Sequence, residues 1–273
     1  MAGGGLLCVA NDVIRIYTSP MWLPVVLFLL IAALNPAWAG AGCPPVRETL
    51  DPLLGVQAEL DAGEPLTIVA LGSSSTEGAG ASSRAASYPA RLEALLRTAL
   101  PGVELRVINA GKSGETSAEM LARMETDVLA HDPDLVIWQA GGNEVLRGGD
   151  TAGFLAQMRA GLRRLRAAGV EVVLMDNQRA PRILSAPASR SFDAAMQELS
   201  QAERVPLFAR SRLMQRWRDA GMPPAEVLAS DGLHHNDRGY ACLAEALAAS
   251  LIRASSHRAG NHGTGRDVRL AGP

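Results

Sequence analysis

Aromatic side chains are sparse in this chain, whose 273 residues hold four Phe, four Trp and three Tyr. That scarcity argues against an aromatic-rich sandwich, and the surplus of Ala, Leu and Val suits packed helices around buried strands. An excess of one charge is missing too, because 26 basic side chains stand against 28 acidic ones. No large field of either sign results, so nucleic acid is not an expected partner. Cysteine is limited to Cys8, Cys43 and Cys242. The length allows one generous domain or two small ones.

One long uncharged run, residues 21–34, ends near Ala37-Trp38-Ala39. It has the length of a signal-peptide core and is short for a membrane span, and Ala37 and Ala39 are the small residues a signal peptidase accepts. Residues 1–39 are therefore expected to be a cleaved signal peptide. Retention as an N-terminal anchor, with membrane association through residues 21–37, is the alternative. The segment ahead of the run is long and carries only Asp12 and Arg15, which admits Met21 as the true start. Cleavage would remove Cys8, and export would permit Cys43 and Cys242 to pair. Equally, they are two unrelated small residues, with Cys242 buried as an apolar side chain. Gly40-Ala41-Gly42 lacks the leucine that would mark Cys43 for lipid attachment.

Beyond a lead-in over residues 40–63, short apolar runs alternate with longer amphipathic ones, as parallel strands joined by crossover helices require. The runs at 66–71, 104–108, 135–138, 170–175 and 205–208 predict strands. Most are continuously apolar, so both faces of the sheet should be covered. Leucines and alanines at helical spacing predict helices over 88–100, 117–130, 151–168, 189–203 and 237–252, several with Ser, Thr or Asp at the N-cap. The fold class expected is α/β, a three-layer α/β/α sandwich on a five-stranded parallel sheet, flavodoxin-like, over residues 64–253. Residues 254–273 carry Ser, His, Arg and Gly without an apolar face and predict a disordered tail.

Ligands of an open parallel sheet bind beyond the carboxyl ends of its strands. Four loops there carry chemistry. Gly72-Ser73-Ser74-Ser75-Thr76-Glu77-Gly78 follows the first strand; such a turn can present a serine hydroxyl beside backbone N–H groups, wrap a phosphate, or serve only as a capped turn. Asn109-Ala110-Gly111-Lys112-Ser113-Gly114-Glu115-Thr116 follows the second and has two glycines where a backbone turns sharply or approaches closely. Ala140-Gly141-Gly142-Asn143-Glu144 follows the third and offers an uncharged amide donor suited to a developing oxyanion. Asp231-Gly232-Leu233-His234 precedes the final helix, spaced so that the carboxylate can hold the imidazole in one tautomer. His235 and Asp237 admit a metal reading, but two adjacent histidines do not easily face one ion, and neither metal nor cofactor is expected. A serine needs a base and oxyanion donors, and these loops supply each part on one sheet edge.

These blocks resemble the SGNH/GDSL hydrolase family, in which a serine, a glycine, an asparagine and a histidine come from four short motifs. The resemblance spans nearly the whole domain. It implies an ester hydrolase with Ser74 as nucleophile, Asp231 and His234 completing a triad, and an oxyanion hole from the Ser74 and Gly114 N–H groups and the Asn143 amide. Gly111 is the rival to Gly114; Ser113-Gly114-Glu115-Thr116 resembles the family's Ser-Gly-Asp-Thr stretch. Ser73 stands where the family name has aspartate, and Glu144 where aspartate is usual. Among three consecutive serines the family register, with Thr76 two places on, selects Ser74. The extra methylene of Glu144 is expected to rearrange a loop-bracing hydrogen bond.

The substrates implied are small-molecule, lipid or carbohydrate esters, with Leu146, Ile183 and Leu184 as candidate lining of an acyl slot. A flavin- or phosphate-binding flavodoxin-like protein and a catalytically silent exported binding module are the other readings.

Overall fold

A computed structural model describes residues 42–45 and 48–256. The leader expected over 1–39 and the tail from 257 onward lie outside the described residues. Five strands form one parallel sheet in the order β2-β1-β3-β4-β5: β1 Leu66–Gly72, β2 Leu105–Gly111, β3 Leu135–Gln139, β4 Glu171–Met175 and β5 Leu207–Phe208. β1 is buried at all seven positions and β3 at all five, as expected for strands covered on both faces.

The helices in chain order are α1 Leu54–Ala62, α2 Ser74–Glu77, α3 Tyr88–Ala99, α4 Ser117–Ala122, α5 Met124–Asp127, α6 Gly142–Arg147, α7 Thr151–Ala167, α8 Pro181–Leu184, α9 Ser189–Glu203, α10 Arg210–Asp219, α11 Pro224–Val227 and α12 Asp237–Ser255. The chain steps from β1 to β2 in one direction and from β2 onward in the other. Right-handed crossovers therefore put α3 on one face and α4, α7 and α9 on the other. α12 packs along α3, closing the first face. Asp150 caps α7 by accepting from the Gly153 N–H at 2.7 Å, and Asn236 caps α12 by accepting from the Gly239 N–H at 3.0 Å.

Register is what matters for function. Gly72 pairs with Gly111, Leu71 with Trp138, Gln139 with Met175, and Met175 with Phe208. The carboxyl ends of all five strands are thus flush, and their loops open side by side. The strand order reverses between β1 and β3, the place where open α/β sheets gather ligands.

Several boundaries differ from the sequence reading. The helix expected over 117–130 is broken into α4, α5 and a 3₁₀ turn at Leu129–His131. The break falls at Arg123, whose guanidinium turns inward and donates to the Ala110 carbonyl at 2.8 Å and the Gly72 carbonyl at 3.3 Å. α12 continues through Ala254 and Ser255, both buried, past the start of the expected tail. The lead-in is also structured: Leu53 is fully buried and its N–H donates to the Ala254 carbonyl at 3.1 Å.

Candidate active site

β1 ends on Gly72, and Ser74 takes the first position of α2. Of the three consecutive serines, two turn inward. The Ser73 N–H and hydroxyl both donate to Gln139 Oε1, at 3.1 and 3.0 Å, and the Ser75 hydroxyl donates to Gln178 Oε1 at 3.4 Å. Ser74 alone meets the imidazole: its Oγ lies 2.8 Å from His234 Nε2. The hydroxyls on either side are thus committed to the interior.

His234 sits on the turn after α11, closed by the Ala229 N–H donating to the His234 carbonyl at 2.9 Å. Asp231 Oδ2 accepts from His234 Nδ1 at 2.5 Å, while Oδ1 accepts the N–H groups of Leu233 and His234 at 2.9 and 3.0 Å. Burial pushes the Asp231 carboxyl up, but the His234 ring and these two N–H groups together outweigh it and hold the acid below its ordinary value. An ionised carboxylate only accepts, so Nδ1 carries the ring proton. In the neutral ring Nε2 is then the acceptor, and the Ser74 hydroxyl donates to it.

His235 points elsewhere. It is buried, its Nδ1 donates to the Val227 carbonyl at 3.0 Å, and burial depresses its pKa to about 3, with the Arg210 charge adding to the effect. The two adjacent histidines therefore do not share a ligand, and among the described residues no cluster of His, Cys, Asp and Glu is placed to hold a metal.

Gly111 and Gly114 have different duties. A Cβ on Gly111 would stand 2.1 Å from the Glu77 nitrogen, so β2 needs glycine there to let the α2 backbone lie against it. Its N–H is occupied, donating to Asn109 Oδ1 at 2.9 Å. Gly114 has φ +82° and lies in the loop beyond the strand. That loop is braced from both sides: Glu77 accepts from the Ser113 N–H at 2.9 Å, and Arg147 Nη2 donates to the Gly114 carbonyl at 2.6 Å. Asn143 donates one amide hydrogen to the Glu115 carbonyl at 2.8 Å, which ties it to the residue after Gly114 and leaves its second hydrogen. Glu144 reaches across to accept the Ser117 N–H at 2.5 Å, bracing the start of α4.

The acyl-slot residues separate. Ile183 is buried in the core, whereas Leu146 is half-buried and Leu184 exposed, on the neighbouring helices α6 and α8. Sequence reasoning missed Gln139, Gln178, Arg123 and Arg210, which brace these loops from inside. The signal for Gln178 was present: the polar triplet Asp176-Asn177-Gln178 directly follows an apolar strand at the carboxyl edge.

A parallel five-stranded sheet with serine, imidazole and carboxylate in line at its carboxyl edge is the arrangement of an SGNH/GDSL-type hydrolase. Within that class the chain belongs to the non-GDSL lipase-like family, whose profile matches residues 42–257. It is similar to the thioesterase 1/protease 1/lysophospholipase L1 of Escherichia coli K12, 29% identical over 191 residues, 70% of this chain and 86% of that protein. It is 38% identical to the esterase TesA of Pseudomonas aeruginosa over 85 residues, 31% of this chain and 42% of that protein. Among solved structures, a two-domain esterase active on acetylated mannans shares the fold with a TM-score of 0.64 at 24% identity. That likeness covers 77% of this chain, which spans about half of the two-domain protein, 55% of its length.

Proposed function

We propose that the chain is an exported serine esterase that hydrolyses short acyl esters through an acyl-enzyme on Ser74. The observation carrying this reading is the unbroken line from Asp231 through His234 to Ser74, with contacts of 2.5 and 2.8 Å. As the Ser74 oxygen attacks the ester carbonyl carbon, its proton passes to His234 Nε2, and Asp231 stabilises the imidazolium that forms. The oxyanion receives hydrogen bonds from the N–H groups of Ser74 and Gly114 and the second Asn143 amide hydrogen. Neither of those two N–H groups has another partner among the described residues. Collapse breaks the bond to the alcohol, which leaves with the proton from His234. Water, deprotonated by the same imidazole, then attacks the acyl carbon, releasing the acid and restoring Ser74.

Short acyl groups are favoured because Ile183 is withdrawn into the core, leaving Leu146 and Leu184 as the apolar remainder of the slot. Activity of a structural neighbour on acetylated mannans agrees with an acetyl-sized group. The Cys43–Cys242 disulfide supports export, since such bonds persist in oxidising compartments.

Ser74→Ala is expected to lower turnover of a nitrophenyl acetate at least about 10³-fold with an unchanged circular dichroism spectrum. Turnover at the wild-type level would refute the assignment. Rates across esters of increasing acyl length, beside acetylated oligosaccharides, test the substrate class; a rate that climbs with chain length would overturn the short-acyl reading.

A further inference from the structure

The two side chains that meet at 2.8 Å, Ser74 and His234, are 160 residues apart in the chain and stand on separate loops. Their separation depends on what joins those loops. On one side, the Ser82 N–H donates to Asp237 Oδ1 at 2.7 Å and the Tyr240 hydroxyl donates to the Ala79 carbonyl at 2.7 Å. Both ties lie several residues from the reacting atoms. Beneath the pair, one buried amide touches the immediate neighbour of each.

We propose that Gln178 is a positioning residue for the Ser74/His234 pair, holding the two loops in register through its amide, with Arg210 fixing which way that amide faces. Gln178 Oε1 accepts from the hydroxyl of Ser75, next to Ser74, and Nε2 donates to the carbonyl of Leu233, next to His234, at 3.2 Å. An amide can be turned end for end, which would present a donor to Ser75 and an acceptor to a carbonyl. Arg210 prevents this. Its Nη2 donates to Gln178 Oε1 at 2.7 Å, and a cation that only donates permits only oxygen there.

The expense of this arrangement argues that it does more than fill space. Arg210 is fully buried, and an enclosed guanidinium is costly unless its hydrogens are well used. Its Nε donates to the Asp176 backbone carbonyl at 3.0 Å and its charge also acts on the buried Asp176 carboxylate, which accepts from the N–H and hydroxyl of Ser211, while Nη1 has no hydrogen-bond partner among the described residues. Of the hydrogen bonds Arg210 makes, the one to a side chain goes to the amide that spans the two loops. Displacing a reacting group by about 1 Å costs on the order of 10²-fold in rate, so a tie one residue from each partner acts on turnover and not on substrate affinity.

The proposal rests on the esterase reading, and the test separates the two. Gln178→Glu keeps an acceptor for Arg210 and Ser75 but, as the carboxylate, loses the donor to the Leu233 carbonyl; Gln178→Met removes every bond at similar volume, whatever the protonation state. Leu199→Ala, in the core of α9, serves as the control for lost stability alone. Steady-state kinetics on a nitrophenyl acetate and the rate of labelling by a fluorophosphonate are measured for each, with melting temperature. Both Gln178 variants are expected to lose about 10- to 100-fold in kcat and in labelling rate, with KM within about threefold. Leu199→Ala should keep kcat despite a lower melting temperature. A folded Gln178→Met protein with kcat and labelling within about twofold of wild type would overturn the positioning role, since a tenfold change corresponds to about 1.4 kcal/mol and less is no tie. Failure of the wild-type chain to label at Ser74 would instead overturn the esterase reading, and the positioning role with it.

Discussion

Asp176, the first residue beyond β4, is enclosed, and burial raises its carboxyl to about 6, against the opposing pull of the Ser211 hydroxyl and N–H and the Arg210 charge. The folded pKa lies above the ordinary carboxyl value of 3.8, so between the two the native chain retains a proton that the unfolded chain has released. Stability from this group is present at acid pH and declines as pH rises through that window. A shift of this size corresponds to about 3 kcal/mol at most. Asp176→Asn, which can still accept the Ser211 N–H, is expected to remove that slope. Urea unfolding of both proteins at several values between pH 4 and pH 7 checks it; parallel profiles would mean that Asp176 is not the titrating group.

At the scale of elements, β2 is an open sheet edge, and α3 covers it with side chains. Glu93 accepts the Val107 N–H at 2.8 Å and Arg97 Nε donates to the Leu105 carbonyl at 3.1 Å, while the two are joined to each other at 2.9 Å. A parallel edge left bare is a template for another chain. Glu93→Ala with Arg97→Ala should therefore cost about 1–2 kcal/mol and raise concentration-dependent light scattering near the unfolding midpoint. Scattering unchanged from wild type would show that α3 does not protect this edge. α10 makes a related point about elements hidden from a sequence reading. Its run Arg210–Asp219 is crowded with arginine, yet Leu213, Met214 and Trp217 are buried at helical spacing. The charges masked the stripe.

Across the whole molecule, the segment ahead of α1 is bound to the last helix. Cys43 is linked to Cys242, the Glu48 carbonyl accepts from the Ser250 hydroxyl at 2.8 Å and from Arg253 at 2.7 Å, and the Glu48 carboxylate faces Arg216 at 3.0 Å. Burial raises the Glu48 carboxyl, with Arg216 and Arg212 working against it. The disulfide joins residues 199 apart, so it removes many open conformations from the unfolded chain. Cys43→Ser with Cys242→Ser is expected to cost about 2–4 kcal/mol while leaving esterase turnover at 25 °C within about twofold, because neither cysteine belongs to the loops that carry Ser74 and His234. Equal melting temperatures for the two proteins would show that the polar contacts alone hold this segment.

Composition and pattern determined the layered α/β class, because continuously apolar strands and amphipathic helices announce their own burial. They also determined the four loops at the sheet edge, since three follow their strands directly, the fourth opens the last helix, and local chemistry is legible in order. Pairing was another matter. The meeting of Cys43 with Cys242, the inward turn of Ser73 and Ser75 that leaves Ser74 facing His234, the different duties of Gly111 and Gly114, and the break at Arg123 all depend on partners distant in the chain. Short-range periodicity carries no record of such partners. The family register selects Ser74, but what frees its hydroxyl, and which buried cation holds an amide in place, is decided only when the strands align and their ends come flush.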